Sequence, residues 1–181
     1  MTPENTTQLV LVLLGAAVAF GLIGWSAHGR TIGPPLSLLT LAAAAVLTSV
    51  TDELSSGRWA TTVLVVLAGL LAVVGGGPVT TRIFAIVDRA DHGRQTLDEA
   101  GQVLRGGAWI GGLERLAVFA GLAAGFPEGV AVVLALKGVG RFPDLRSDTT
   151  GGAATERFII GTFASVLWAA GCAGTVALVR R

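Results

Sequence analysis

Apolar and small residues fill this chain in long runs, and polar residues are largely confined to the breaks between them. A helix needs ~20 such residues to cross a bilayer. The runs at 9–27, 36–50, 60–77, 108–126, 127–142 and 158–178 therefore predict six spans. The first ends at Trp25, Ser26 and His28, a plausible membrane–water boundary. It lacks both the basic start and a clear small-x-small cleavage pattern of a signal peptide, so a retained span is expected. Gly33-Pro34-Pro35 breaks the chain and opens the second span, because proline cannot continue a helix from upstream but fits the first turn of the next. Asp52 and Glu53 mark the following polar connector, and Trp59 anchors the third span. Gly75-Gly76-Gly77-Pro78 is then expected to terminate that span, by glycine backbone entropy and proline ring geometry together.

The longest connector, 79–105, carries Arg82, Arg89, Arg94 and Arg105. Thr96 and Glu99 have capping-box spacing, and Leu97, Ala100, Val103 and Leu104 share a face, which predicts a short interfacial helix over 97–105. Asp88, Asp91 and His92 form an Asp/His cluster there, but a hard cation wants more oxygen ligands than they supply, so no metal site is assigned. The run Asp88-x-x-Asp91-x-Gly93-Arg94 loosely resembles the aspartates of CDP-alcohol phosphotransferases, without the second aspartate pair those enzymes require.

Composition sets the class. The chain is 52% hydrophobic and 14% charged, with a mean hydropathy of +0.71, whereas soluble domains carry about 25% charge. The expected fold is all-α, a polytopic integral membrane helix bundle of about six transmembrane helices with no separate soluble domain. A net charge of +1 gives no reason to expect nucleic acid. The lone Cys172 rules out an intrachain disulfide and a multi-Cys metal site, and no cofactor is expected. With six spans, nine Lys and Arg fall on one side of the membrane and three on the other, leaving Arg115 aside. The positive-inside rule then puts both termini outside. The Arg180-Arg181 pair argues the other way, and if one short span does not cross, the C-terminus moves to the cytoplasm.

Four charges sit where a lipid-facing helix should have none: Glu114 and Arg115 in one run, Lys137 and Arg141 in the next, hinged at Gly125-Phe126-Pro127. Pro127 and Glu128 make a good helix start, so the two runs are antiparallel neighbours. At 1.5 Å per residue from the turn, Glu114 lies ~18 Å down one helix, and Lys137 and Arg141 lie ~15 and ~21 Å down the other. The carboxylate is thus predicted to sit level with the two cations. Gly111, Val118, Gly121 and Gly125 share the face that bears it, which permits close helix approach. Glu156 and Arg157 enter the last span from the same side and extend the cluster, and Thr162 and Ser165 add hydroxyls deeper in. Arg115 is expected to snorkel to the headgroups.

The motifs Trp109-Ile110-Gly111-x-Leu113-Glu114-Arg115, Ala135-x-Lys137-x-x-x-Arg141-Phe142-Pro143-x-Leu145 and Glu156-x-Phe158-Ile159-Ile160-Gly161-Thr162-x-x-Ser165 resemble the C-terminal half of a family of bacterial polytopic membrane proteins classed as a domain of unknown function. The similarity covers roughly residues 107–170. It implies a multi-pass protein of the bacterial inner membrane and singles out Glu114, Arg115, Lys137, Arg141 and Glu156, without an activity.

Three functions compete. In a small-solute, ion or proton transporter, Glu114 would accept a proton or cation and Lys137 and Arg141 would modulate it. In a non-catalytic scaffold or partner subunit, the ion pairs would fix helix register. In a lipid-modifying enzyme, Lys137 and Arg141 would hold a headgroup phosphate. The expected surroundings are the lipid bilayer and, through the Gly-rich faces, a second copy or a membrane partner.

Overall fold

A computed structural model of the chain describes residues 3–51, 57–90, 107–146 and 153–180. These residues form six α-helices: α1 (Pro3–Ile23), α2 (Gly33–Val50), α3 (Arg58–Ala90), α4 (Gly107–Ala123), α5 (Glu128–Arg146) and α6 (Ala153–Val179). No strand occurs among them, and the protein is all-α. By length and composition, α1, α2, α3 and α6 can each cross a membrane. The predicted interfacial helix at 97–105, together with Asp91 and His92, lies outside the described residues.

Local chemistry sets several boundaries as expected. Prolines in the first turn open α2. At the end of α4, Gly125 has φ 77°, the amide of Phe126 donates to Gly121 O at 2.8 Å, and that of Gly125 donates to Leu122 O at 3.1 Å. This is a Schellman cap, in which glycine takes the left-handed position without a Cβ penalty. Pro127 follows at once, and α5 returns antiparallel to α4.

The expected stop at Gly75-Gly76-Gly77-Pro78 does not occur. Instead, α3 runs through it to Ala90 and spans 33 residues, ~50 Å at helical rise, so much of the expected connector is helix. The glycines serve packing here. A Cβ at Gly75 would lie 2.5 Å from the Trp168 ring, one at Gly77 would lie 2.8 Å from the Trp25 ring, and one at Gly76 would overlap the Arg115 side chain. The cost of glycine in a helix is offset by letting three large side chains lie directly on the α3 backbone.

The helix α3 occupies the centre, packed on α1, α4 and α6, while α2 bridges α1 and α6 and α5 leans on α4 at the edge. The core joins Leu14, Ala17, Leu41, Leu71, Val118 and Cys172 from five helices, with no member from α5. Large apolar side chains such as Val12, Leu39, Val66, Phe163 and Leu167 are exposed around the outside, as a lipid-facing belt requires. Trp59 and Trp109, each 79% exposed, begin antiparallel helices and so mark opposite ends of the bundle, where interfacial tryptophans belong.

Candidate functional site

Pro78 has no amide hydrogen, so the Val74 carbonyl one turn back lacks its helical donor. Trp25, in the connector after α1, supplies a replacement: its Nε1 donates to Val74 O at 2.9 Å. Two further donors reach the same stretch of α3. Arg115 on α4 donates through Nε and Nη2 to Val73 O at 3.2 and 2.8 Å, and Trp168 on α6 donates through Nε1 to Leu71 O at 3.1 Å. Side chains from three elements thus dock on carbonyls just before the proline, over the glycines that make room for them. Trp25→Phe should cost about 1 kcal/mol, the net worth of one such bond. The loss should shrink in a Pro78→Ala background, where residue 78 regains a hydrogen for Val74 O. A double-mutant cycle read by denaturation in detergent measures that coupling.

Arg115 therefore does not snorkel. It is 6% exposed and points inward, because Gly76 and Gly111 leave space beside it and the Val73 carbonyl accepts its charge-assisted bonds. Its Nη1 also lies 3.5 Å from Ser165 Oγ on α6.

The predicted register of the hairpin is present. Lys137 Nζ donates to Glu114 Oε2 in an ion pair that links α5 to α4. Arg157, in the first turns of α6, donates to both carboxylate oxygens of Asp88 at 2.6 Å and lies 5.2 Å from the centroid of the Phe84 ring. That clamp joins the start of α6 to the extended end of α3, in residues that a stop at Pro78 would have left in a connector.

Trp25, Glu114, Arg115, Lys137, Arg157 and Ser165 line one cavity of about 1220 Å³ toward one end of the bundle. Its wall is built from the α1–α2 connector, the end of α3, the start of α4, the end of α5 and the start of α6. Six described lining residues are basic (Arg30, Arg82, Arg115, Lys137, Arg141 and Arg157), and Glu114 is the one acidic residue among them. Of the expected site residues, Glu114, Arg115, Lys137, Arg141, Thr162 and Ser165 all line it, while Glu156 is exposed on α6 and does not. Apolar walls come from Ile110, Leu113, Val133, Leu136 and Phe158. Thr162 Oγ1 is buried and has no hydrogen-bond partner among the described residues.

Sequence reasoning missed Arg30, Arg82 and Trp25 as site residues. For Trp25 the signal was Pro78: a proline within an apolar run leaves a carbonyl open, and a tryptophan near the end of a neighbouring run is a natural donor. Among the described residues, no group of three or more His, Cys, Asp or Glu could hold a metal ion. Fold and site together define a helical membrane protein with a basic cavity at one end. No family model matches the chain, and neither a curated protein nor a solved structure matches it.

Proposed function

We propose that this protein is a small membrane carrier that takes up an anion in the basic cavity. The observation that carries this reading is the described lining around about 1220 Å³, six basic residues and the carboxylate of Glu114; Asp88, just outside it, pairs with Arg157, and the described groups remain positive in balance. In a partly desolvated pocket such an excess attracts phosphate or carboxylate groups and repels cations. Glu114 already faces Lys137, so the electrostatics favour an anionic cargo over a cation or proton held by Glu114. The basic end is the one the positive-inside rule assigns to the cytoplasm, and the anion would be accepted from that side.

The single lysine of the chain, Lys137, lines the cavity and provides the test. Amine labelling of Lys137 in detergent-purified protein should be slowed by inorganic phosphate or a phosphate ester and unaffected by matched cations. The Arg82→Ala/Arg141→Ala variant should need at least tenfold more anion for the same protection, since each lost charged contact contributes on the order of 1.5–3 kcal/mol. Equal protection by cations, or an unchanged anion requirement in that variant, would reject the carrier reading.

A scaffold reading has one observation in its favour: the Glu114–Lys137 pair, the Arg115 cap and the Asp88–Arg157 clamp each tie two helices together. It predicts that no anion alters the labelling.

A further inference from the structure

The shape of the cavity narrows the chemistry of the anion. The helix α5 packs mainly on α4, and no residue from 128 to 142 is fully buried. Val133 and Leu136 face the cavity, while Val132, Val139 and Phe142, outside its lining, are exposed. One helix, apolar on both sides, thus stands between the cavity and the surrounding lipid, and the described residues cover the edge of α5 away from α4 only lightly. The volume also exceeds the ~300–1,000 Å³ of pockets for drug-sized ligands. A free inorganic anion would leave most of that space, and the apolar part of its wall, without a partner.

Thr162, Ser165 and Arg115 line the inner part of the cavity, Thr162 and Ser165 one turn apart on α6. The Thr162 hydroxyl is buried and lacks a partner among the described residues, an arrangement that costs free energy unless something else accepts its hydrogen. The Arg115 guanidinium carries five donor hydrogens, and its closest approach to Ser165 is a long 3.5 Å. An oxygen-rich head seated here would satisfy the threonine and shorten the arginine's contacts.

We propose that the ligand is an amphiphile with a phosphate head and an alkyl chain. The head reaches Arg115, Thr162 and Ser165, and the chain leaves over Val133 and Leu136, past the lightly covered edge of α5, into the bilayer. This rests on the anion-carrier reading and specifies its cargo. Each buried methylene of such a chain contributes about 0.8 kcal/mol, so two or three in contact with α5 raise affinity by tenfold or more.

The experiment uses the full chain in a neutral maltoside detergent, with Lys137 labelling followed by mass spectrometry. The probes are decyl phosphate, inorganic phosphate, glycerol phosphate and decyltrimethylammonium. Decyl phosphate should protect Lys137 at concentrations at least tenfold below either chain-free phosphate. Gly140 lines the cavity one turn from Leu136, and a Cβ there meets nothing within 4 Å, so Gly140→Trp puts its ring in the path of the chain, and an unchanged thermal midpoint in detergent checks that the fold is kept. The variant should abolish the advantage of decyl phosphate and leave protection by inorganic phosphate intact. Thr162→Val should weaken both phosphates by about tenfold, the worth of one bond to a charged group. Equal potency of decyl and inorganic phosphate would overturn the amphiphile and keep the carrier. Protection by decyltrimethylammonium but by neither phosphate would overturn both. Unchanged phosphate affinity in Thr162→Val would overturn the placement of the head.

Discussion

Arg115→Ala is expected to be among the most destabilising single changes in the chain, at about 4 kcal/mol. Two bonds from a charged donor to the Val73 carbonyl are lost, with a net value of ~1.5–3 kcal/mol. The vacated volume beside Gly76 and Gly111 adds a cavity cost of similar order. The midpoint of thermal unfolding in detergent should fall by on the order of 10 °C. Arg115→Lys should recover only part of the loss, because an ammonium on a flexible stem cannot present the paired donors of a guanidinium. A loss below about 1 kcal/mol in Arg115→Ala would mean that the guanidinium sits in the aqueous part of the cavity and that the α3 contact contributes little. The same substitution removes a positive charge from the lining of the cavity, so phosphate protection of Lys137 should weaken together with stability. Loss of both in one variant separates Arg115 from Trp25, whose replacement by Phe removes a hydrogen bond to α3 but no charge from the cavity.

The contrast between Glu114 and Arg115, adjacent in sequence, shows what could be read in advance. Glu114 was placed correctly against Lys137 because the controlling chemistry is local. Gly125 and Pro127 fix a tight reversal, and a constant helical rise then sets which residues lie level. Arg115 was misplaced because its direction depends on Gly76 and on Val73, the latter 42 residues away along the chain. The same holds for Gly75-Gly76-Gly77-Pro78. Taken alone, those residues are a helix stop. Their partners Trp25 and Trp168 lie 49 and 97 residues from the carbonyls they reach, and only the assembled bundle turns the weak segment into a docking surface. Arg30 and Arg82 went unrecognised for a related reason. Each reads as a solvated connector charge until the end of α3 is seen to be helical and to close one wall of the cavity. The all-helical architecture was legible throughout because it follows from composition and run length, which no tertiary contact overrides.

The Glu114–Lys137 pair separates the remaining readings through substitutions that act on stability and on binding in opposite directions. The side chains are 18% and 20% exposed, so the pair lies between a surface bridge worth under about 1 kcal/mol and a buried one whose rupture costs ~3–5 kcal/mol. Glu114→Gln should therefore destabilise by about 2 kcal/mol, since it leaves the Lys137 ammonium with no carboxylate among the described lining residues. In an anion carrier the same change raises the positive potential, so phosphate should protect Lys137 at several-fold lower concentration even as the fold weakens. The exchange Glu114→Lys/Lys137→Glu restores the pair with its charges reversed in position. It should recover most of the stability, because the bond between α4 and α5 does not depend on which helix carries which sign. If Glu114 were instead the acceptor of a transported proton or cation, the outcome would differ. Glu114→Gln would then leave stability nearly intact and abolish flux, and the exchange would restore nothing, because the acid would stand on the wrong helix. Stability from a denaturation curve and phosphate affinity from Lys137 labelling, measured on Glu114→Gln, decide between these cases. Lower stability with tighter anion binding assigns Glu114 to holding α5 against α4, and so to fixing the wall that α5 contributes to the cavity.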